Sequence, residues 1–305
     1  MTVLEAIQKS AEFLAKKSVE SPRLQTELLL THLLKLPRMK LYLNFERVLT
    51  PAETDALREF VKRRGQREPL QHITGSTSFC GFEIAVNRRA LIPRPETELL
   101  AEAGWQFLST LNPQPSTALD FGTGTGCVAI ALAAKCQSVK IVAMDISADA
   151  LTLAGKNAVR NHVAERIEFV QSDGFAALQN VGQASCLSPS EMQKLETGGT
   201  PALHFDLIIS NPPYIPSAEI ATLQPEVRDF DPHGALDGGA DGLDFYRKLA
   251  AEANPFLKPG GKIMLEFGDG QADAIRKIFE TEKWVVEAVR DDYSHRARIL
   301  IARRN

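Results

Sequence analysis

The sequence predicts an α/β protein, a mostly parallel sheet with helices on both faces, preceded by a small helical bundle. Three observations predict it. From residue 117 onward, seven strand-like apolar runs are interleaved with helical stretches, the arrangement that produces parallel pairing through crossovers. A glycine-rich turn, Asp120-Phe121-Gly122-Thr123-Gly124-Thr125-Gly126, joins the first of those runs to the helix after it. The first 65 or so residues carry helical spacing without strand alternation.

In chain order, residues 3–17 place Val3, Leu4, Ile7, Ala11 and Leu14 on one side of a helix. Ser21-Pro22 opens a second helix through Leu34, carrying Leu24, Leu28, Leu29, Thr31 and Leu33. Thr50 is the N-cap and Pro51 the first residue of a third, ending near Gly65. A bundle this small buries little core and leans on a neighbour or partner. Residues 75–93, with Phe79, Phe82, Ile84 and Val86 beside Gly75 and Gly81, read as a β-hairpin. A helix at 96–110 follows. Strands are expected at 117–121, 140–144, 166–170, 205–210 and 262–267, and helices at 126–135, 148–160, 242–253 and 271–281. The last two runs, 284–290 and 296–302, are close enough to pair antiparallel. The expected domains are thus 1–74, a hairpin linker at 75–95, and 96–305. Residues 179–204 are polar and rich in Gly, Ser, Thr and Pro, where connections are normally about 2–6 residues long. They read as a tolerated surface insertion with one helical turn at 190–196.

Composition excludes several classes. The net charge of −3 is not that of a polyanion binder, although residues 1–75 carry 13 Lys+Arg against 9 Asp+Glu. That basic excess suits an acidic or RNA-associated partner, or a solvated helical face. Cys80, Cys127, Cys136 and Cys186 show no C-x-x-C pair and no His cluster, so no disulfide framework or metal site is expected. The start lacks the pattern of a signal peptide, and no apolar run reaches membrane-spanning length, so the expected compartment is the cytoplasm, or an organelle matrix.

Asn211-Pro212-Pro213-Tyr214 carries the most chemical information. It follows the apolar run 205–210, so Asn211 stands at the C-terminal end of a buried strand, where open α/β sheets bind ligands. Two prolines fix the backbone there and leave their carbonyls free as acceptors. Acceptors roofed by Tyr214 suit a planar group bearing an NH2. The glycine loop has G-x-G-x-G spacing, neither a dinucleotide fingerprint nor a P-loop. Asp145 ends the second strand 19 positions after Gly126, where a carboxylate meets ribose hydroxyls.

The glycine loop followed by Asp145 resembles the S-adenosylmethionine site of class I methyltransferases. With Asn211-Pro212-Pro213-Tyr214, the chain resembles the HemK/PrmC family, which methylates the side-chain amide (N5) of the glutamine in the GGQ motif of peptide chain release factors. Further matches are Glu68-Pro69-Leu70-Gln71-His72-Ile73-Thr74-Gly75, Leu91-Ile92-Pro93-Arg94-Pro95-Glu96-Thr97-Glu98, and Glu226-Val227-Arg228 with Asp231-Pro232. Ala235-Leu236-Asp237-Gly238-Gly239 and Asp241-Gly242-Leu243 complete them, so the resemblance spans nearly the whole chain.

The resemblance implies a Rossmann-like, mostly parallel seven-stranded sheet and a helical domain that docks the release factor. The enzyme is expected to be a monomer that binds no nucleic acid stably and no membrane. S-adenosylmethionine is expected on Gly122, Thr123, Gly124, Thr125, Gly126 and Asp145, with Asn211 adjoining it. Asp173 is expected either to accept from the adenine amino group or to cap a helix. Phe175 either flanks the adenine or is a core aromatic. Two departures stand out. An aromatic residue often follows the acid of the third strand in the family, where this chain has Gly174, and the insertion at 179–204 is not part of the pattern.

The implied chemistry is demanding, because the lone pair of an amide nitrogen is delocalised into its carbonyl. Orientation toward an electrophilic methyl then matters most. Asn211 and the Pro212 carbonyl each accept one N–H of the substrate amide, Pro213 fixes the loop, and Tyr214 stacks on the amide plane. No general base is assigned, and His72, His162, His204, His233 and His295 have no role. Arg94 and Glu96 either support the pocket or form a structural salt bridge. Two rivals share this site, a ribosomal-protein glutamine methyltransferase and an adenine-N6 methyltransferase of nucleic acids. The second calls for a basic groove, whereas residues 76–305 are net acidic.

Overall fold

Turn chemistry and apolar spacing set the elements of the first unit. A computed structural model describes residues 1–111, 114–178 and 204–305. The expected insertion therefore lies outside the described residues, apart from its last position. The chain forms two compact units, Met1–Ser76 with Leu223–Asp231, and Thr77–Thr222 with Pro232–Asn305. This differs from the sequence-based division at two places. The hairpin after Ser76 belongs to the second unit, and nine residues of the expected third domain belong to the first.

The first unit holds α1 (Val3–Lys16), α2 (Pro22–Leu34), α3 (Arg38–Tyr42), α4 (Pro51–Gly65) and α5 (Leu70–Thr74). Thr50 caps α4 as expected, its hydroxyl accepting from the Glu53 amide at 3.2 Å while Glu53 reaches back to the Thr50 amide. Thr2 and Glu5 repeat the device on α1. Ile7, Leu14, Leu29, Leu30 and Leu57 form the core. On α2 the buried face is not the leucine stripe alone. Leu24 is exposed, and Glu27 is buried with its carboxylate accepting from Arg23, Arg38 and Tyr42. Burial raises the Glu27 carboxyl, and the three donors outweigh it and hold it below the ordinary value. The short helix Pro225–Arg228 joins this unit through Glu226, whose carboxylate accepts from Arg64 at 2.7 Å and from Arg67 at 2.6 and 2.7 Å.

The second unit opens with the hairpin β1 (Ser76–Phe79) and β2 (Phe82–Ala85), then α6 (Pro95–Thr110), β3 (Ser116–Phe121), α7 (Cys127–Lys135), β4 (Val139–Asp145) and α8 (Ala148–Arg160). After β5 (Ile167–Gln171) and β6 (Phe205–Ser210) come α9 (Asp244–Glu252), β7 (Leu257–Glu266), α10 (Ala272–Thr281), β8 (Trp284–Asp291) and β9 (Ala297–Arg304). The sheet order is β5-β4-β3-β6-β7-β9-β8. The pairs from β5 to β7 are parallel, and β9 is antiparallel to both β7 and β8. Two apolar layers cover the faces, one containing α6 and α7, the other α9 and α10. The expected seven-stranded, mostly parallel sheet is therefore present.

Register aligns the functional loops. Phe121 lies beside Met144, Asp120 beside Ile209, and Asp145 beside Gln171. The C-terminal ends of β3, β4, β5 and β6 thus open at one edge, and β3 is the strand from which the order departs in both directions. That is the switch point where open α/β sheets bind ligands.

Candidate active site

A cavity of about 290 Å³ opens at this edge, lined by the loops after β3, β4, β5 and β6. Its floor is the glycine turn. Gly122, Gly124 and Gly126 have φ of 74°, 55° and 80°, the left-handed region that glycine occupies without strain. The amides of Gly122 and Thr123 both donate to the Met144 carbonyl, at 2.8 and 2.9 Å, tying the turn to the end of β4. A Cβ at Gly122 or Gly124 would meet open space, so the turn leaves room for a ligand against the backbone.

Asp120 is buried beneath the turn, its Oδ2 accepting from the Thr123 hydroxyl at 2.6 Å and the Ala129 amide at 3.1 Å. Burial pushes its carboxyl up to about 6. Asp145 is half-buried and lines the cavity. Its two oxygens accept from the Gly124 amide at 2.8 Å and the Ser147 amide at 2.9 Å. A carboxylate has about four acceptor positions, so both oxygens keep capacity for hydroxyl donors.

Asp173 and Gly174 also line the cavity. Asp173 is exposed and paired with Lys248 on α9. Gly174 has φ of 78°, and Lys248 fills the space a Cβ there would need. Phe175 is corrected. It is 3% exposed, stacked on Phe256 at 4.9 Å between ring centroids and against Phe121 at 5.1 Å. It is a core aromatic and is not among the residues lining the cavity, so it does not flank an adenine there.

Asn211 lines the cavity, and its Nδ2 donates to the Thr97 hydroxyl at 3.0 Å. That bond leaves Oδ1 as the free acceptor of the amide. Ser210 anchors the strand end by donating to the Phe121 carbonyl at 2.6 Å. Pro213 also lines the cavity, whereas Pro212 is buried and Tyr214 packs partly buried against the core. Burial pushes the Tyr214 hydroxyl up to about 12, so it stays neutral. The loop is clamped from behind. The Ile215 amide donates to Leu236, the Gly238 amide to Ile215, and the Gln271 side chain to the Tyr214 carbonyl. A Cβ at Gly238 would lie 2.9 Å from the Pro213 carbonyl oxygen, and one at Gly242 would collide with that of Tyr214. The glycines of this second motif are therefore spacers that let the chain press against the Asn211–Tyr214 backbone.

Sequence reasoning missed Thr97 and Lys248, which both line the cavity. Thr97 stood inside a motif without a role of its own. Arg94 lines the cavity and Glu96 does not. Glu98 ties the hairpin to α6 by accepting from the Cys80 amide at 2.8 Å. Among the described residues, no group of three His, Cys, Asp or Glu is placed to hold a metal, and no helix is long and apolar enough to cross a membrane.

The PrmC N-terminal domain profile matches residues 5–75, and the methyltransferase small domain profile matches 101–187. The release factor glutamine methyltransferase of Geobacter sulfurreducens is 40% identical over 278 residues, 91% of this chain and 88% of its own. That of Chlorobaculum tepidum is 39% identical, covering 95% and 93%. A crystal structure of the hMettl16 catalytic domain with an RNA hairpin, 14% identical, superposes with a TM-score of 0.50 over 83% of this chain and 81% of that one, a likeness of fold alone. With this identity sustained along nearly its whole length, the chain belongs to the release factor glutamine methyltransferase family.

Proposed function

We propose that this protein transfers a methyl group from S-adenosylmethionine to the side-chain amide nitrogen of the GGQ glutamine in peptide chain release factors. The observation that carries the reading is Asn211, which stands at the end of β6 beside the glycine turn with its amide tethered to Thr97 through Nδ2. The oxygen is left to accept an N–H from a planar amide.

The cavity suits the cofactor. Open space above Gly122 and Gly124 admits a ligand against the backbone, and Asp145 keeps acceptor capacity for two ribose hydroxyls. Asp173, which also lines the cavity, would accept from the adenine amino group. When bound, S-adenosylmethionine supplies a methyl group on a positively charged sulfur. Asn211 Oδ1 accepts one N–H of the substrate glutamine and the Pro212 carbonyl the other, which turns the nitrogen toward that methyl. Accepting that methyl would give the nitrogen a positive charge. Both hydrogen bonds strengthen as that charge grows, so they favour the transition state over the ground state. The extra proton then leaves to water. The first unit is the proposed docking surface for the factor.

The test is transfer of labelled methyl to purified release factor, against a factor with the GGQ glutamine changed to alanine. Label is expected on the wild-type factor alone. Equal label on the altered factor removes glutamine as the target.

A further inference from the structure

The two ends of an asparagine amide are nearly equal in size, so hydrogen bonding alone decides which end enters the cavity. At Asn211 the end tied to α6 is Nδ2, 3.0 Å from the Thr97 hydroxyl oxygen. Thr97 is 3% exposed, in the first turn of α6. Its hydroxyl hydrogen-bonds the carboxyl of Glu266, which ends β7 and is 1% exposed. A hydroxyl has one proton to give. A carboxylate only accepts, so ionised Glu266 commits the Thr97 proton to itself and leaves a lone pair facing Asn211. An acceptor at that point selects the NH2 end of the amide, and Oδ1 is turned to the cavity.

We propose that Thr97 and Glu266 are positioning residues that set the orientation of the Asn211 amide, committing its oxygen to the substrate. The proposal rests on the reading that Asn211 accepts an N–H from the substrate.

A purely structural role explains Glu266 poorly. Its Oε2 is buried with no hydrogen-bond partner among the described residues, an arrangement that costs stability. A glutamine there could donate to Thr97, turn the Thr97 proton toward Asn211, and admit the reversed amide. Protonation of Glu266 permits the same reversal. The groups facing it are Arg94 and Glu96 at the start of α6, Tyr214 after β6, Tyr246 on α9, which donates to the Glu266 carbonyl at 2.8 Å, and Arg298 on β9. Burial dominates this set and pushes the Glu266 carboxyl up to about 7. The ordered amide is therefore favoured above that pH and lost below it.

The experiment uses the full chain with Thr97→Val, Thr97→Ser, Glu266→Gln and Asn211→Ala. S-adenosylhomocysteine affinity is read by calorimetry, and single-turnover methyl transfer to release factor is read with cofactor saturating. Thr97→Val keeps shape but loses the hydroxyl, and is expected to slow transfer roughly 10- to 100-fold with S-adenosylhomocysteine affinity within about threefold. Thr97→Ser is expected to recover most of the rate. The wild-type rate is expected to fall as pH drops below about 7, and Glu266→Gln to be slow and to lose that acid limb. A wild-type rate in Thr97→Val, with Asn211→Ala slow, overturns the positioning role and leaves the Asn211 reading intact. A wild-type rate in Asn211→Ala overturns both. If Thr97→Val fails to bind S-adenosylhomocysteine, the Glu266→Gln profile decides, and an unchanged acid limb overturns the proposal.

Discussion

The Nζ of Lys248 lies 2.9 Å from Oδ1 of Asp173, and the end of the same side chain fills the space a Cβ on residue 174 would require. Residue 174 is a glycine, and a lysine from α9 takes the space beside it. The pair is exposed, with 33% and 76% of the two side chains accessible, so its contribution to stability is small. Its effect belongs to binding, because Lys248, Asp173 and Gly174 all line the cavity. Lys248→Ala is expected to weaken S-adenosylhomocysteine by about 1 kcal/mol, roughly fivefold, with little change in melting temperature. Unchanged affinity in calorimetry removes Lys248 from the cofactor wall.

Asp145 is expected to matter more. Its carboxylate braces the glycine turn through the Gly124 amide and the next helix through the Ser147 amide, before any ligand binds. Asp145→Ala is expected to weaken the cofactor by roughly 1–3 kcal/mol, the scale for hydrogen bonds to a charged group. Asp145→Asn keeps one acceptor oxygen and is expected to fall between. If the two variants bind equally to wild type, the ribose contact is wrong.

How far these features could be read from the sequence depends on how local their cause is. The strand–helix alternation, the Thr50 cap and the antiparallel final pair follow from short patterns and appear as expected. The start of β7 does not. It was expected from residue 262, yet the strand begins at Leu257, opposite Phe205, across an irregular register. The glycine turn, Asp145 and Asn211 were legible because each closes a strand. Phe175 was not, since only the packing of Phe121 and Phe256 decides whether an aromatic beside a site faces ligand or core. Thr97 and Lys248 reach the cavity from α6 and α9, far from the loops they serve, and no spacing rule connects them. Residues 223–231 group with the first unit, where Glu226 is held by arginines about 160 positions earlier, a pairing that no local pattern signals.

That arginine pair makes a stability prediction for the first unit. Burial raises the Glu226 carboxyl, but bonds from Arg67 and Arg64 outweigh it and hold the carboxyl below its ordinary value. The Arg64 side chain is 5% exposed and that of Glu226 15%. Arg64→Ala leaves the acid short of a partner and is expected to cost about 3 kcal/mol, the low end for breaking a buried pair because Arg67 remains. Hydrogen exchange at α4 amides measures it. A loss below about 0.5 kcal/mol would show the pair to be solvated.

The last prediction concerns pH, where two buried acids act in one direction. Asp120 and Glu266 titrate near 6 and 7 in the folded protein, against ordinary values of 3.8 and 4.5. Both bind protons more tightly folded than unfolded. The stability this confers is fully present below about pH 4 and is lost as pH rises through 6 to 7. Glu266→Gln removes the Glu266 share, since an amide does not ionise. It is expected to match wild type near pH 5 within about 1 kcal/mol and to exceed it near pH 8 by about 2–3 kcal/mol, the integrated effect of one such displaced carboxyl. Both tryptophans, Trp105 and Trp284, belong to the second unit, so their fluorescence during urea unfolding follows that unit alone. The same substitution is expected to slow methyl transfer, so stability and turnover move in opposite directions at pH 8. A variant less stable than wild type at pH 8 would show that the Glu266 carboxylate is held by stronger partners than the Thr97 hydroxyl and the nearby Arg298, and the pH dependence assigned to Asn211 would fall with it.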